Sequence, residues 1–144
     1  MRSTWFCLAL LAGCVLGCGN RNSFQQVTGV VTYQTAPVEG ATVNFYNAET
    51  KTASYGRTDA SGRFHLSTKA TSDGAPPGSY VVTISKLQAT GGEVKEIAPG
   101  VLDPNPTPGV TYHAIPPMYA NQATSGLTAT VTAGGKNDFE FHLK

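Results

Sequence analysis

No cysteine occurs after Cys18; Cys7, Cys14 and Cys18 are the only three in the chain. No disulfide can therefore staple the body of the protein. An excess of charge of one sign is missing too. Ten Lys and Arg stand against nine Asp and Glu, a formal charge of +1. That balance leaves no electrostatic footprint for phosphates and excludes a charge-driven nucleic-acid binder. At 40% hydrophobic and 13% charged residues, the composition is not that of a disordered chain. Helical spacing of apolar residues is hard to find anywhere, and there is no internal repeat or low-complexity tract. What is present, 16 Gly and 9 Pro in 144 residues, suits one small β-rich domain.

The one long apolar run lies at the N-terminus. Met1 to Cys18 reads MRSTWFCLALLAGCVLGC, with a positive charge at Arg2 and apolar residues from Trp5 to Leu16 interrupted only by Gly13 and the cysteines. This is a signal-peptide pattern, expected over residues 1–17. The run of about a dozen residues is shorter than the roughly 20 that a membrane-crossing helix needs. No basic stop-transfer cluster follows it, so cleavage is expected. Leu11-Ala12-Gly13-Cys14 and Val15-Leu16-Gly17-Cys18 both resemble the bacterial lipobox. The resemblance implies a diacylglyceryl thioether, with acyl chains such as palmitate, on Cys18; Cys14 is the alternative and leaves a very short signal. At least two acyl chains are what stable anchoring takes. The expected product is a lipoprotein of the cell membrane or outer membrane, facing the periplasm or the outside. Residues 18–25 would carry the lipid and a short polar tether, and residues 26–144 the folded domain. Losing Arg2 would leave nine Lys and Arg against nine Asp and Glu, and losing Trp5 would remove the only tryptophan.

From Val27 onward apolar residues recur at every second position, which marks half-buried strands. Val27, Val31 and Tyr33, with Gly29, form one inward set; Ala41, Val43 and Phe45 form the next. Thr52 to Thr58 is a weaker strand with small residues at Ser54 and Gly56. The turn Thr58-Asp59-Ala60-Ser61-Gly62 uses an aspartate that hydrogen-bonds tight backbone and a glycine that takes positive φ. Phe64 and Leu66 then point inward, followed by Tyr80, Val82 and Ile84, by Leu127, Ala129 and Val131, and by Phe139, Phe141 and Leu143. Seven short strands without helices predict an all-β fold, a seven-stranded antiparallel β-sandwich. A chain of this size can bury roughly two thirds of its unfolded surface, enough to fold without disulfide or metal. Residues 87–124 break the pattern, with Pro99, Pro104, Pro106, Pro108, Pro116 and Pro117. Proline donates no ladder hydrogen bond, so a long surface loop is expected there, and loops of such length are usually functional or disordered.

The strings Val27-Thr28-Gly29-Val30-Val31, Pro37-Val38-Glu39-Gly40-Ala41-Thr42-Val43-Asn44-Phe45, Thr58-Asp59-Ala60-Ser61-Gly62-Arg63-Phe64 and Pro77-Gly78-Ser79-Tyr80-Val81-Val82 follow one another in this order. Together they resemble the carboxypeptidase regulatory-like domain, a transthyretin-like or prealbumin-like sandwich related in architecture to the immunoglobulin fold. The distal part, from Ile115 through Leu127 to the closing strand, is similar to small bacterial lipoproteins built on that domain. These are scaffold motifs, and sandwiches host many unrelated activities.

Chemistry is sparse. His65 and His142 alternate against inward residues and should face solvent. No HxH or HExxH spacing occurs and no cysteine is at hand, so neither zinc nor any other metal or cofactor is expected. No G-x-S-x-G elbow is present for nucleophilic catalysis, and Asp59 and Asp73 read as turn formers rather than an acid/base pair. The resemblance to transthyretin-like proteins brings in 5-hydroxyisourate hydrolases, which carry an early histidine and a terminal Tyr-Arg-Gly-Ser. This chain ends Phe141-His142-Leu143-Lys144 and departs from them. A non-catalytic structural or interaction module follows, with the membrane as a partner through the N-terminal lipid and an envelope protein or polysaccharide as a further one. The candidate ligand contacts are Tyr112, His113, Met118 and Tyr119 in the long loop. In the alternative reading they bind carbohydrate by stacking on a sugar ring.

Overall fold

The computed structural model describes residues 23–92, 96–104 and 108–144. The elements run β1 (Val27–Tyr33), β2 (Ala36–Pro37), β3 (Thr42–Asn47), β4 (Thr52–Arg57), β5 (Arg63–His65), β6 (Gly78–Ser85), β7 (Leu87–Thr90), β8 (Glu96–Ala98), β9 (Val101–Leu102) and β10 (Val110–His113). A 3-10 helix (Pro117–Ala120), β11 (Leu127–Val131) and β12 (Asn137–Leu143) complete the chain. Two sheets make the sandwich. One has the order β11-β6-β3-β4; in the other β1 pairs with β12 on one side and with β2 and β5 on the other.

The seven strands expected from alternation are β1, β3, β4, β5, β6, β11 and β12, and their inward sets are the ones that the periodicity marks. Val31, Ala41, Val43, Phe45, Phe64, Leu66, Val82 and Ile84 are wholly buried, while Tyr33, Leu127 and Phe139 pack half-buried against them. Phe45 stands at the centre. Its ring lies 5.7–6.2 Å from those of Phe64, Tyr80, Phe139 and Phe141, so it joins rings from both sheets. Room for this cluster depends on Gly29, opposite Phe64 in the β1–β5 ladder. A Cβ there would meet the Phe64 ring at 2.6 Å.

Two buried asparagines and a buried tyrosine are satisfied by backbone close to them in sequence. Asn47 is buried, and its Oδ1 accepts from the backbone N–H groups of Glu49 and Thr50 at 2.9 and 3.0 Å, closing the β3–β4 hairpin. Asn137 is buried and accepts from Thr132 N–H at 2.8 Å in the turn before β12. Tyr80 buries its ring and donates its hydroxyl to the Pro76 carbonyl at 2.7 Å; burial pushes its pKa up.

Two features depart from the sequence reading. The β1–β12 pair is parallel, running from Val27↔Asn137 to Tyr33↔Leu143. Its two strands come from opposite ends of the domain, and the whole of the rest of the fold serves as the crossover that a parallel pair requires. The stretch 87–124, expected as a loop, contains secondary structure of its own. The chain leaves β6 through Lys86 into β7, which pairs antiparallel with β10, while β8 and β9 form a smaller ribbon between them in sequence.

The two ends of the sandwich differ. β11 runs antiparallel to β6 with Val131 opposite Gly78, and Val131 leads by a short turn to Asn137 beside Val27. The Gly78 end of β6 is thus the end at which the chain enters. The Ser85 end is opposite, and there the β7–β10 ribbon leaves the body. The 3-10 helix, started by Pro116 and Pro117, closes that end: the Tyr119 hydroxyl accepts from Lys144 N–H at 3.1 Å.

Candidate functional site

The ribbon is the one part of the described protein that exposes apolar side chains in number. Leu87, Ile97, Val101, Leu102, Val110, Tyr112 and Met118 are seven of the eight exposed large hydrophobics, with Tyr55 the eighth, at exposures between 44% and 64%. All seven lie between β7 and the 3-10 helix. Isolated apolar residues on a surface need no explanation, but a concentration of this kind marks contact sites.

Local geometry explains the exposure. All eight residues of β7 and β10 are exposed, so neither face of this two-stranded ribbon is covered by the sandwich. Its register places Val110 opposite Thr90, Thr111 opposite Ala89, Tyr112 opposite Gln88 and His113 opposite Leu87. Cross-strand partners share a face. One face therefore presents Gln88, Thr90, Val110 and Tyr112, and the other Leu87, Ala89, Thr111 and His113. The Tyr112 hydroxyl donates to Gln88 Oε1 at 2.9 Å, which pins the ring along its own face.

The four candidate contact residues do not converge. Tyr112 and His113 are neighbours on β10 and point to opposite faces. Met118 is exposed on the 3-10 helix, whereas Tyr119 is half-buried and packed on the core. The apolar residues Leu87, Ile97, Val101, Leu102 and Val110 were absent from the candidate set. Alternation could not flag strands exposed on both faces, and residues 87–113 are no poorer in charge than the rest of the chain. Cys14 and Cys18 lie outside the described residues.

Elsewhere the titratable groups do structural work. Asp59 Oδ1 accepts from the Ser61 hydroxyl at 2.6 Å and from the backbone N–H groups of Ser61 and Arg63 at 2.8 and 3.0 Å. The Ser61 hydroxyl above all holds its pKa below the ordinary carboxylate value. Gly62, at φ +75°, completes this turn and packs where a Cβ would strike the Val31 carbonyl. The Asp73 carboxylate accepts from the backbone N–H groups of Thr68, Lys69 and Ala70 at 2.6, 2.9 and 2.9 Å, and the Thr68 N–H leads in lowering its pKa. Both aspartates are turn formers.

His65 and His142 are exposed. They face Thr28 and Thr32 on either side of β1, about 13 Å apart along the strands alone, too far to share an ion. The outer face of that sheet holds weak pairs, Arg63 with Asp138 at 3.5 Å and His142 with Glu140 at 3.5 Å, worth little in solvent. Among the described residues no three His, Cys, Asp or Glu side chains are grouped to hold a metal, and no helix is long and apolar enough to cross a membrane.

The family model for the carboxypeptidase regulatory-like domain matches residues 26–112, more than half of the chain. The match ends within β10, although β11 and β12 complete the two sheets. No curated protein and no solved structure matches the chain.

Proposed function

Because this chain belongs to the carboxypeptidase regulatory-like domain family, we propose that it is a lipid-anchored, non-catalytic envelope module whose sandwich holds out the 87–113 arm as its contact surface. The observation that carries this reading is the confinement of nearly all exposed large hydrophobics to the arm and the adjoining 3-10 helix. A two-stranded ribbon is marginally stable in water by itself, and the apolar side chains on this one gain most from a partner that removes them from solvent. The anchor is the acylated Cys18, or Cys14 in its place. Of the two readings, protein contact fits better than sugar stacking. A stacking platform needs rings on a common face, and Tyr112 and Tyr119 sit on separate elements with Tyr119 packed on the core.

Two measurements test the proposal. The intact mass of the protein extracted from membranes, with its N-terminal peptide fragmented, should show acyl mass on Cys18 or Cys14; an unmodified N-terminus in the soluble fraction refutes the anchor. Sizing of mild-detergent extracts should place the wild-type chain in an assembly larger than its monomer. The triple substitution Leu102→Ser, Val110→Ser, Tyr112→Ser should return it to monomer size, and equal sizes would refute the contact surface.

A further inference from the structure

The hydrogen-bond pattern of the arm says which backbone groups of β10 face outward. Ala114 N–H donates to the Lys86 carbonyl at 2.9 Å, and His113 lies opposite Leu87. Antiparallel ladders alternate bonded and non-bonded pairs. Tyr112 and Val110 therefore turn their backbone groups toward β7, and Thr111 and His113 turn theirs away. Among the described residues β7 and β10 pair only with each other, so the outward N–H and C=O groups of β10, like those on the far side of β7, form a free edge. Folded proteins usually protect such an edge with lysine, proline, a bulge or brevity. Here only brevity is used: β7 and β10 read Leu-Gln-Ala-Thr and Val-Thr-Tyr-His, without Lys, Arg, Asp, Glu or Pro.

The fold also says where this edge is held. At the Gly78 end Gln25 is bridged to Ala75 by backbone bonds of 2.8 and 3.0 Å, its Oε1 accepts from Gly134 N–H at 2.9 Å, and Lys69 Nζ sits 5.6 Å from the centre of the Phe24 ring. The chain is fastened to the domain from Phe24 onward. An acylated Cys18 is six residues before that point, about 20 Å at full extension. The eight-residue β6 rises about 26 Å between that end and the arm. Anchored at Cys18, the tether is shorter than β6 and too short to turn the domain over, so the arm stands away from the anchoring lipid.

A second copy is a poor occupant. Symmetric pairing of β10 with itself is antiparallel, which would send the two tethers in opposite directions. We propose that the outward edge of β10 receives an extended, proline-free segment of another envelope protein as a third strand, with its alternate apolar side chains laid over Val110 and Tyr112. This rests on the contact-surface reading above and adds the edge, the backbone chemistry and the side on which the partner lies.

Thr111→Pro is the discriminating change. It removes an outward N–H and leaves the β7–β10 ladder intact, since proline is tolerated where a strand's N–H faces solvent. A photo-crosslinking benzoylphenylalanine replaces Tyr112 in the full-length chain, irradiated in the cells that make it, and the adduct is sequenced. The expected adduct is one foreign polypeptide joined through a single extended segment. Thr111→Pro should lower its yield about tenfold, the loss of one good hydrogen bond, while amide exchange shows Tyr112 and Ala114 still protected. An adduct undiminished by Thr111→Pro overturns strand addition and leaves the contact surface standing. Adducts to lipid or to a second copy overturn the assigned occupant, and no adduct at all overturns both readings.

Discussion

Replacing Phe45 with alanine should be the most damaging single truncation in the sandwich. The side chain is wholly buried and meets four rings at centroid distances of 5.7 to 6.2 Å. A buried Phe→Ala change costs ~3–5 kcal/mol, depending on how far the site can collapse. Collapse is restricted here: Phe64, Phe139 and Phe141 belong to the opposite sheet and Tyr80 to the neighbouring strand, each held by its own ladder. Each lost ring contact is worth ~0.5–1.5 kcal/mol beyond area, which places the cost at the upper end, ~4–5 kcal/mol. Total stability for such a domain is ~5–15 kcal/mol. At roughly 3–5 °C per kcal/mol for a domain near this size, Tm should fall by about 12–25 °C. Calorimetry of the two proteins, with urea unfolding followed by near-ultraviolet circular dichroism, measures it. Phe45→Leu, which keeps most of the volume, should recover more than half of the loss. A loss below about 2 kcal/mol for Phe45→Ala would show that this cluster does not join the sheets.

Further outcomes follow from the same structure. Gly29→Ala should destabilise by more than the usual ~1–3 kcal/mol of overpacking, because its Cβ would strike both the Phe64 ring and the Phe139 carbonyl; urea unfolding with no change in midpoint would refute the β1–β5 register. Tyr112→Ser should stay within ~0.5 kcal/mol of wild type, as an exposed site does, and a calorimetric loss several times larger would place the ring in the core. The lowered pKa values of Asp59 and Asp73 mean that the folded state binds these protons more weakly than the unfolded chain. Their stabilisation is present above the ordinary value of 3.8 and lost as pH falls through the lower folded values. The double substitution Asp59→Asn, Asp73→Asn should flatten the acid limb of a melting profile below about pH 4, and an unchanged limb would refute the assignment.

Alternation from Val27 to Val43, Phe64, Tyr80 and Phe141 was enough to place the sandwich strands and their inward faces, because period two has one buried solution once a core must close. The partner of β1 was not readable in that way. Parallel and antiparallel neighbours bury the same alternate residues, so Val27 opposite Asn137 is a fact of topology. The arm was misread for a different reason. Its strands are four residues or shorter and exposed on both faces, so no alternation announces them, and Pro99, Pro104, Pro106 and Pro108 read as loop. Tyr112 and His113 stood out as residue types, while their opposite orientation needed the strand that the prolines concealed.

Pairing the first strand with the last has a consequence for how the molecule is made. Val27 and Asn137 meet across 110 residues of chain, and β12 brings Phe139, Phe141 and Leu143 to the core. A chain still being synthesised has β1 but no neighbour for its long edge, and two of the five rings of the aromatic cluster are missing. Non-local pairing of this kind folds on the millisecond-to-second scale. Folding therefore waits for the last strand, and until it arrives the sandwich cannot close over its core.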